Sequence, residues 1–338
     1  KNLNFYTAYH IIIFILYFKF KTGEKIMSEE IIKLKELSLK DIPDRLSVGF
    51  YYNFTKHPFR HYDLFKDSQI NSVVAALDEI HPYTASWIKK TLSEKIGSSH
   101  LTQMSQQDFK GKCIGAFSVY IEDGATFEPS FINGSLHDKK YVLFVGKGTH
   151  IIGANIFLDQ GDIYIGQDNI IESCVGIKGP TIIGNKNEIR QGTYLRGDVI
   201  IGDAGTYRGE IKNSVMMDKA NFPHPSYVGD SICGYATHFG NQATTANLGI
   251  YAGIFGKKNV VVELYDKKYD IGRAKIGIIL GDYSQVGCNS VSDPAVFVGP
   301  HTIFYPLCRI SKGFYGPDEV LKNKPIEKGI IERTFLKK

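Results

Sequence analysis

An aliphatic residue stands at every sixth position through the middle of the chain without a break: Ile165, Ile171, Ile177, Ile183, Ile189, Leu195 and Ile201. A helix repeats near 3.6 residues and a simple strand near 2, so a sustained period of six is neither. Gly166, Gly184 and Gly202 each follow one of these residues, eighteen apart. The structural unit is therefore three hexads long.

One flat strand and a tight turn consume about six residues, and three such edges close a triangular coil. Stacked coils bury the aliphatic side chains in one column. Glycine and small polar residues such as Asn185, Asn187 and Asp203 then occupy turns where positive φ costs little. The pattern predicts a mainly β chain folded as a parallel β-helix. The rhythm is also read upstream at Val145, Ile151, Phe157 and Ile163, and more weakly at Val119, Ala125 and Phe131; it returns at Leu280, Val286, Val298 and Phe304.

With 338 residues, 43% hydrophobic and 22% charged, the composition is that of a soluble globular protein with room for two domains. A net charge of +5 without a Lys/Arg block argues against a nucleic-acid partner. Cys113, Cys174, Cys233, Cys288 and Cys308 are odd in number and include no CxxC pair. They read as buried thiols in a reducing, cytoplasmic setting rather than as disulfides or a metal site.

The apolar run Phe5 to Phe18 is too short to span a bilayer, which takes about 20 residues. Met27 opens a polar, helix-friendly stretch, so residues 1–26 are read as upstream sequence with Met27 as the natural start; a weak membrane anchor is the alternative. Residues 27–110 lack the hexads and carry helical spacing at Val73 to Ile80 and Trp87 to Ile96, punctuated by Pro43, Pro58 and Pro82. They predict a small, mainly helical N-terminal module ending near Gly97, with a polar linker from 98 to 107. Its aromatic cluster, Phe50 to Phe54 with His57, Phe59, His61 and Tyr62, suits either packing against a neighbour or ligand binding. The β-helix is expected over 111–310 and a C-terminal tail over 311–338.

The hexads break at Tyr207 to Val228 and at Ala252 to Ile276, and interruptions of a solenoid are expected as external loops that carry function. The first break ends in Asn221-Phe222-Pro223-His224-Pro225-Ser226-Tyr227-Val228-Gly229-Asp230. Two prolines fix the backbone around His224, whose imidazole can take a proton from an attacking amine or hydroxyl.

Here the chain resembles the hexapeptide acyltransferases with a left-handed parallel β-helix. More narrowly, it is similar to the acetyltransferase half of the bifunctional glucosamine-1-phosphate acetyltransferase and sugar-1-phosphate nucleotidylyltransferase enzymes. The matching runs are Glu210-Ile211-Lys212-Asn213-Ser214, Met216-Met217-Asp218, His224-Pro225-Ser226-Tyr227-Val228-Gly229-Asp230-Ser231 and Thr244-Thr245-Ala246-Asn247-Leu248. Gly272-Arg273-Ala274-Lys275-Ile276-Gly277 and Gly281-Asp282 extend the resemblance, which covers roughly residues 140 to 310. It implies that His224 is the catalytic base, that Arg196, Lys212 and Tyr227 contact a sugar phosphate, and that Asn247 lies near the reacting groups. It further implies a homotrimer with acetyl-CoA laid along the coils, for which Gly287, Cys288 and Lys275 are the candidate contacts.

Independently of the resemblance, a guanidinium and an ammonium suit a phosphate. Turns at Gly229, Gly234, Gly240 and Gly287 are candidate N–H donors to a thioester oxyanion. The chain departs from the family at Phe239-Gly240-Asn241-Gln242-Ala243-Thr244, where a Gly-Ala-Gly run is usual, and at His238, where the bifunctional enzymes carry a substrate-touching asparagine. His238 therefore joins the candidate acceptor contacts.

No glycine-rich nucleotide loop opens the chain, so nucleotidylyl transfer is not expected. The expectation is a CoA-dependent acyltransferase for a hexosamine 1-phosphate, with no metal and no membrane partner. A non-catalytic trimeric binding platform is the alternative. A metal hydratase on His224, His238 and His301 is disfavoured by their spacing.

Overall fold

The computed structural model describes residues 30–323 apart from 69, 98, 99 and 138, so the segments 1–26 and 324–338 of the expected plan lie outside the described residues. From Cys113–Ile114 to Val320–Leu321 the chain winds as a parallel β-helix. Its first face is an eleven-stranded sheet and its second a ten-stranded sheet; the third is divided into runs of seven and three strands. Ile163, Thr181 and Val199 pair in succession along the first face, one coil of eighteen residues apart. All seven hexad residues from Ile165 to Ile201 point into the column and are fully buried or nearly so. Each contributes roughly 1.5–3 kcal/mol of burial.

The glycines of the repeat act differently from the expectation. Gly166, Gly184 and Gly202 do not have positive φ; the left-handed positions are two residues later, at Asp168, Lys186 and Ala204. A Cβ on each glycine would instead collide with the side-chain oxygen of Asn185, Asp203 or Asp218 on the next coil. Those oxygens accept the backbone N–H of Gln167, Asn185 and Asp203 at 2.8, 2.7 and 2.9 Å. The glycine is there to let two coils approach. A second, buried ladder runs beside it: Asn169 Oδ1 accepts from Asn187 N at 2.9 Å, and Asn187 Oδ1 from Gly205 N at 2.8 Å.

The upstream phase also shifts. Ile156 faces inward in place of Phe157, and Phe127 and Ile132 in place of Ala125 and Phe131. The coil joining Val145 to Ile165 is twenty residues long, and the extra residues move the inward position. The break at 207–228 is not an external loop. The chain keeps coiling there through Glu210–Lys212, Ser214–Met216, Asn221–Phe222 and Tyr227–Gly229, with corners shortened so that Val199 pairs with Ser214, fifteen residues on. The break at 252–276 is a true excursion with a short helix, Ala252–Phe255, and an antiparallel hairpin, Val261–Leu264 with Lys267–Asp270. Coiling continues beyond 310 through Gly313–Tyr315 and Val320–Leu321, where a tail was expected. The stretch expected as a linker includes a strand, Leu101–Met104, which pairs antiparallel with Phe117–Glu122 and covers the open edge of the first face.

First-face strands such as Thr181–Ile183 and Val199–Ile201 are buried along their whole length. Their middle residues, Ile182, Ile200, Val215, Ile279 and Phe297, point away from the column into a second apolar cluster made with the N-terminal module. Among its described residues up to Gly97, that module has five short 3-10 helices and one α-helix, Ala76–Lys95, which runs through Pro82 where two segments were expected. Proline this near the start costs one intrahelical bond, and burial of Ile80, Thr84, Ile88 and Leu92 offsets it. Gly97 has φ +105° just past the end. The aromatic cluster packs against the β-helix, with Tyr51 and Tyr52 buried and the Tyr52 hydroxyl donating to Ile232 O at 3.2 Å.

Two outcomes follow. Gly184→Val should lower the unfolding free energy by about 3 kcal/mol, since neighbouring coils must part. The measurement is a denaturant midpoint at constant slope, and a loss under about 0.5 kcal/mol, the scale of an ordinary surface change, would contradict the close-approach account. His61 is buried, with Nε2 unpartnered and Nδ1 3.1 Å from the Tyr83 hydroxyl. Burial, and then Arg60, lower its pKa to about 3. The unfolded chain takes up this proton near pH 6.5 and the folded chain only near 3, so stability present above about pH 6.5 is lost as pH falls through that window. In His61→Phe this acid limb should flatten in thermal melts.

Candidate functional site

On the third face, strands Gly176–Lys178, Tyr194–Leu195, Glu210–Lys212 and Tyr227–Gly229 stack in register, Gly176 on Tyr194, Tyr194 on Glu210 and Glu210 on Tyr227. Ile177, Leu195, Ile211 and Val228 point inward. Side chains on either side of an inward residue point outward. One outward row is therefore Tyr194, Glu210 and Tyr227, and the other is Lys178, Arg196 and Lys212. The shortened coil at 207–228 delivers Lys212 and Tyr227 to the same face as Arg196.

Arg196 Nη1 is 2.5 Å from Glu210 Oε1, and this bond raises the guanidinium pKa. Lys178 pairs with Asp159 at 3.3 Å. Lys212 has no side-chain hydrogen bond or ion pair among the described residues. It is the uncommitted cation of the row.

Tyr227 folds back along its own strand and occupies the space a Cβ on Gly229 would need. Its hydroxyl accepts from Asn247 Nδ2 at 2.9 Å, and the same amide donates to Asp230 Oδ2 at 2.6 Å. Asp230 Oδ1 accepts from Asn213 Nδ2 at 2.8 Å and from Arg273 Nη2 at 3.0 Å. Burial, then the Asp230 and Glu210 carboxylates, raise the Tyr227 pKa, so the phenol stays protonated near neutrality.

His224 stands exposed in the turn between the second and third faces and makes no side-chain hydrogen bond among the described residues. The turn is tied to the next coil by Ser226 Oγ to Thr244 Oγ1 at 2.9 Å and Tyr227 N to Thr244 Oγ1 at 3.2 Å. His238 is close by, on the second face, in register with Asn221 below and Gln285 above. Burial first, and then the charge of His224, lower the His238 pKa, which keeps this second imidazole neutral near pH 7. Beside it the buried Asn221 Oδ1 has no hydrogen-bond partner among the described residues.

Arg196, Lys212, Tyr227 and Asn247 are thus brought to one face, with His224 and His238 at its edge. The three residues expected to hold the cofactor are not brought together. Gly287 and exposed Cys288 lie at the turn from the second to the third face, with Cys288 stacked on Gly240. Lys275 sits at the opposite edge, where its carbonyl accepts from Arg273 Nε at 2.5 Å. The glycine amides are also less available than expected, because those of Gly234, Gly240 and Gly287 each donate at 2.8 Å to a carbonyl of the next coil. Gly229 N–H alone is loosely held, 3.4 Å from Thr245 Oγ1. His301 stacks on Tyr283 at the other edge of the second face, and no group of three potential metal ligands occurs among the described residues. Asp230, Arg273 and Asn213 complete the polar network. Periodicity gave no signal for them because they stand at corners and in the excursion.

The chain is 34% identical over 186 residues to a bifunctional sugar-1-phosphate nucleotidylyltransferase/acetyltransferase of Sulfurisphaera tokodaii, an alignment covering 49% of this chain and 45% of that protein. It is 33% identical over 148 residues to the bifunctional protein GlmU of Methanococcus vannielii, covering 42% and 33%. The chain therefore spans less than half the length of these relatives. No family model matches. Among solved structures, an N-acyltransferase from Bacillus cereus in complex with dTDP and coenzyme A covers 68% of this chain and 89% of its own, with 15% identity and a TM-score of 0.21. A superposition at that level says nothing about chemistry.

The neighbouring imidazoles give a direct check. In His224→Ala the His238 ring, followed by NMR, should titrate at higher pH than in the wild type while staying below the ordinary histidine range, because burial is the larger cause. An unmoved titration would show that the two rings do not sense each other.

Proposed function

We propose that this hexapeptide-repeat chain, a homologue of the bifunctional sugar-1-phosphate nucleotidylyltransferase/acetyltransferases, is a CoA-dependent acyltransferase that N-acetylates a hexosamine 1-phosphate. The observation that carries the reading is the gathering of Arg196, Lys212, Tyr227 and Asn247 on one face beside the His224 turn. The acetyltransferase activity named for the Sulfurisphaera tokodaii relative supports it. Arg196 and Lys212 hold the phosphate, Lys212 at no cost in broken pairs and Arg196 by sharing itself with Glu210. Tyr227 and Asn247 orient the sugar. The amine nitrogen attacks the thioester carbonyl, His224 accepts the amine proton, and the C–S bond breaks as the tetrahedral intermediate collapses, with the proton leaving on the CoA thiol.

The oxyanion needs a donor, and the loosely held Gly229 N–H is the candidate on this chain. Acetyl-CoA runs along the coils past Gly287 and Cys288, with Lys275 at the far edge, and the acting species is a cytoplasmic homotrimer. The proposal is confined to acyl transfer. The part of the module that is described is built on one twenty-residue helix and short 3-10 turns, not on a doubly wound sheet.

That His224 has no orienting partner among the described residues favours a second reading, a β-helix that binds its ligands without chemistry. Calorimetry with CoA separates the two, since a binding platform for sugar phosphate alone has no need of the thiol donor.

Purified chain given acetyl-CoA and glucosamine or galactosamine 1-phosphate should release free thiol. His224→Ala should lose about a hundredfold in kcat. Lys212→Ala should raise the acceptor KM about tenfold, the weight of one charge-assisted contact. Full turnover in His224→Ala would remove the histidine from the mechanism.

A further inference from the structure

At the corner beside the third face, the N-terminal module and the excursion meet through ionic contacts. Arg273 is only 11% exposed and is held from three sides. Nη2 donates to Asp230, Nε donates to the Lys275 carbonyl, and Nη1 lies 3.1 Å from Asp78 Oδ1 on the long helix Ala76–Lys95. Nη1 is buried and has no well-aligned hydrogen bond, so the Asp78 carboxylate is what offsets its burial. A guanidinium this enclosed persists only while its charge is matched.

The approach is built on both sides. Gly272 has φ +74°, and a Cβ there would meet the stem of Lys35, whose Nζ is 3.0 Å from Asp78 Oδ2. The same bend is fixed by Gly272 N donating to Asp270 Oδ1 at 2.7 Å, and strand Lys267–Asp270 pairs with Ile31–Lys33 of the module. One turn further along the helix, His81 Nδ1 lies 2.6 Å from Asp198 Oδ1, two residues past Arg196.

We infer that the start of this helix is a working part of the acceptor site, with Asp78 a positioning residue that holds Arg273 against Asp230 and so fixes Asn247 and Tyr227. The inference rests on the acyltransferase reading for its effect on turnover, though not for the coupling itself. The chain of contacts is continuous: Asp78, Arg273, Asp230, Asn247, Tyr227. Its electrostatic sense is also clear. Asp230 is 6% exposed, close to the face proposed to receive a phosphate, and without Arg273 its charge would repel that anion. Asp78 thereby keeps Asp230 matched by Arg273 without touching the ligand.

The test uses the full chain with Asp78→Asn, Asp78→Glu and, as a control on an exposed part of the same helix, Glu94→Gln. Hydrogen exchange needs no ligand. In Asp78→Asn, backbone exchange at residues 227–230 and 246–248 should quicken about tenfold, while the covered strands 181–183 and 199–201 stay as in the wild type. Asp78→Glu should recover most of the protection and Glu94→Gln all of it. With acetyl-CoA and glucosamine 1-phosphate, Asp78→Asn should raise the acceptor KM about tenfold with kcat within about twofold. Unchanged exchange at both segments overturns the inference, as does faster exchange that spreads to the covered strands or that Asp78→Glu fails to reverse. If the wild type releases no thiol, the acyltransferase reading fails, and the exchange pattern still decides whether Asp78 holds the site.

Discussion

Everything in this molecule depends on one coil lying flat on the next at strand spacing. The limit is set at the corners, where chain direction changes and side chains have least room. Gly166, Gly184 and Gly202 meet that limit by presenting no Cβ to Asn185, Asp203 and Asp218. The oxygen that would have clashed instead accepts a backbone N–H that the turn leaves without a strand partner. Steric clearance and hydrogen-bond satisfaction are thus one arrangement repeated coil after coil. The inward aliphatic column follows from it, because coils stacked in register place Ile165, Ile183 and Ile201 directly above one another.

A stack of this kind has three equivalent outer faces, and the chain treats each differently. The first face presents apolar residues outward, Ile182, Ile200, Val215, Ile279 and Phe297, and is covered by the N-terminal module. Covering one face leaves the module's helix with its first turns at the corner between the first and third faces. That is how Asp78 and His81 come to stand beside Arg273 and Asp198. The excursion after Asn247 reaches the same corner from the other side and donates a hairpin to the Ile31–Lys33 strand. Module, excursion and third face are consequently one packed unit, although they are far apart along the chain.

The architecture was legible because it is periodic, and what was misread is aperiodic. Ile165 to Ile201 can be read by counting. The inward choice of Ile156 over Phe157 could not, because it depends on a coil of twenty residues whose extra length lies between strands. Residues 207–228 looked like a loop because three residues are missing from a coil, and counting cannot tell a shortened corner from a departure. The covered face did leave a trace: paired apolar residues, Ile182-Ile183, Ile200-Ile201, Val215-Met216 and Ile279-Leu280, recur once per coil, as a sheet wetted on neither side requires. At the site, Arg196, Lys212, Tyr227 and Asn247 were found through their resemblance to known motifs. Asp78 was not, since its role exists only once the helix has docked.

The charges of the third face explain why so many carboxylates can border a site proposed for an anion. Glu210 is paired by Arg196, Asp230 by Arg273 and Asp159 by Lys178. Within the row Lys178, Arg196 and Lys212, only Lys212 has no partner among the described residues, and it is set beside acids that are already neutralised. Neutral pairs add little long-range field, because their contributions cancel within a few ångströms. The field a ligand meets at this row is then chiefly that of Lys212, with the Arg196 guanidinium available at the expense of its exposed bond to Glu210. A monoanionic or dianionic phosphate suits such a row.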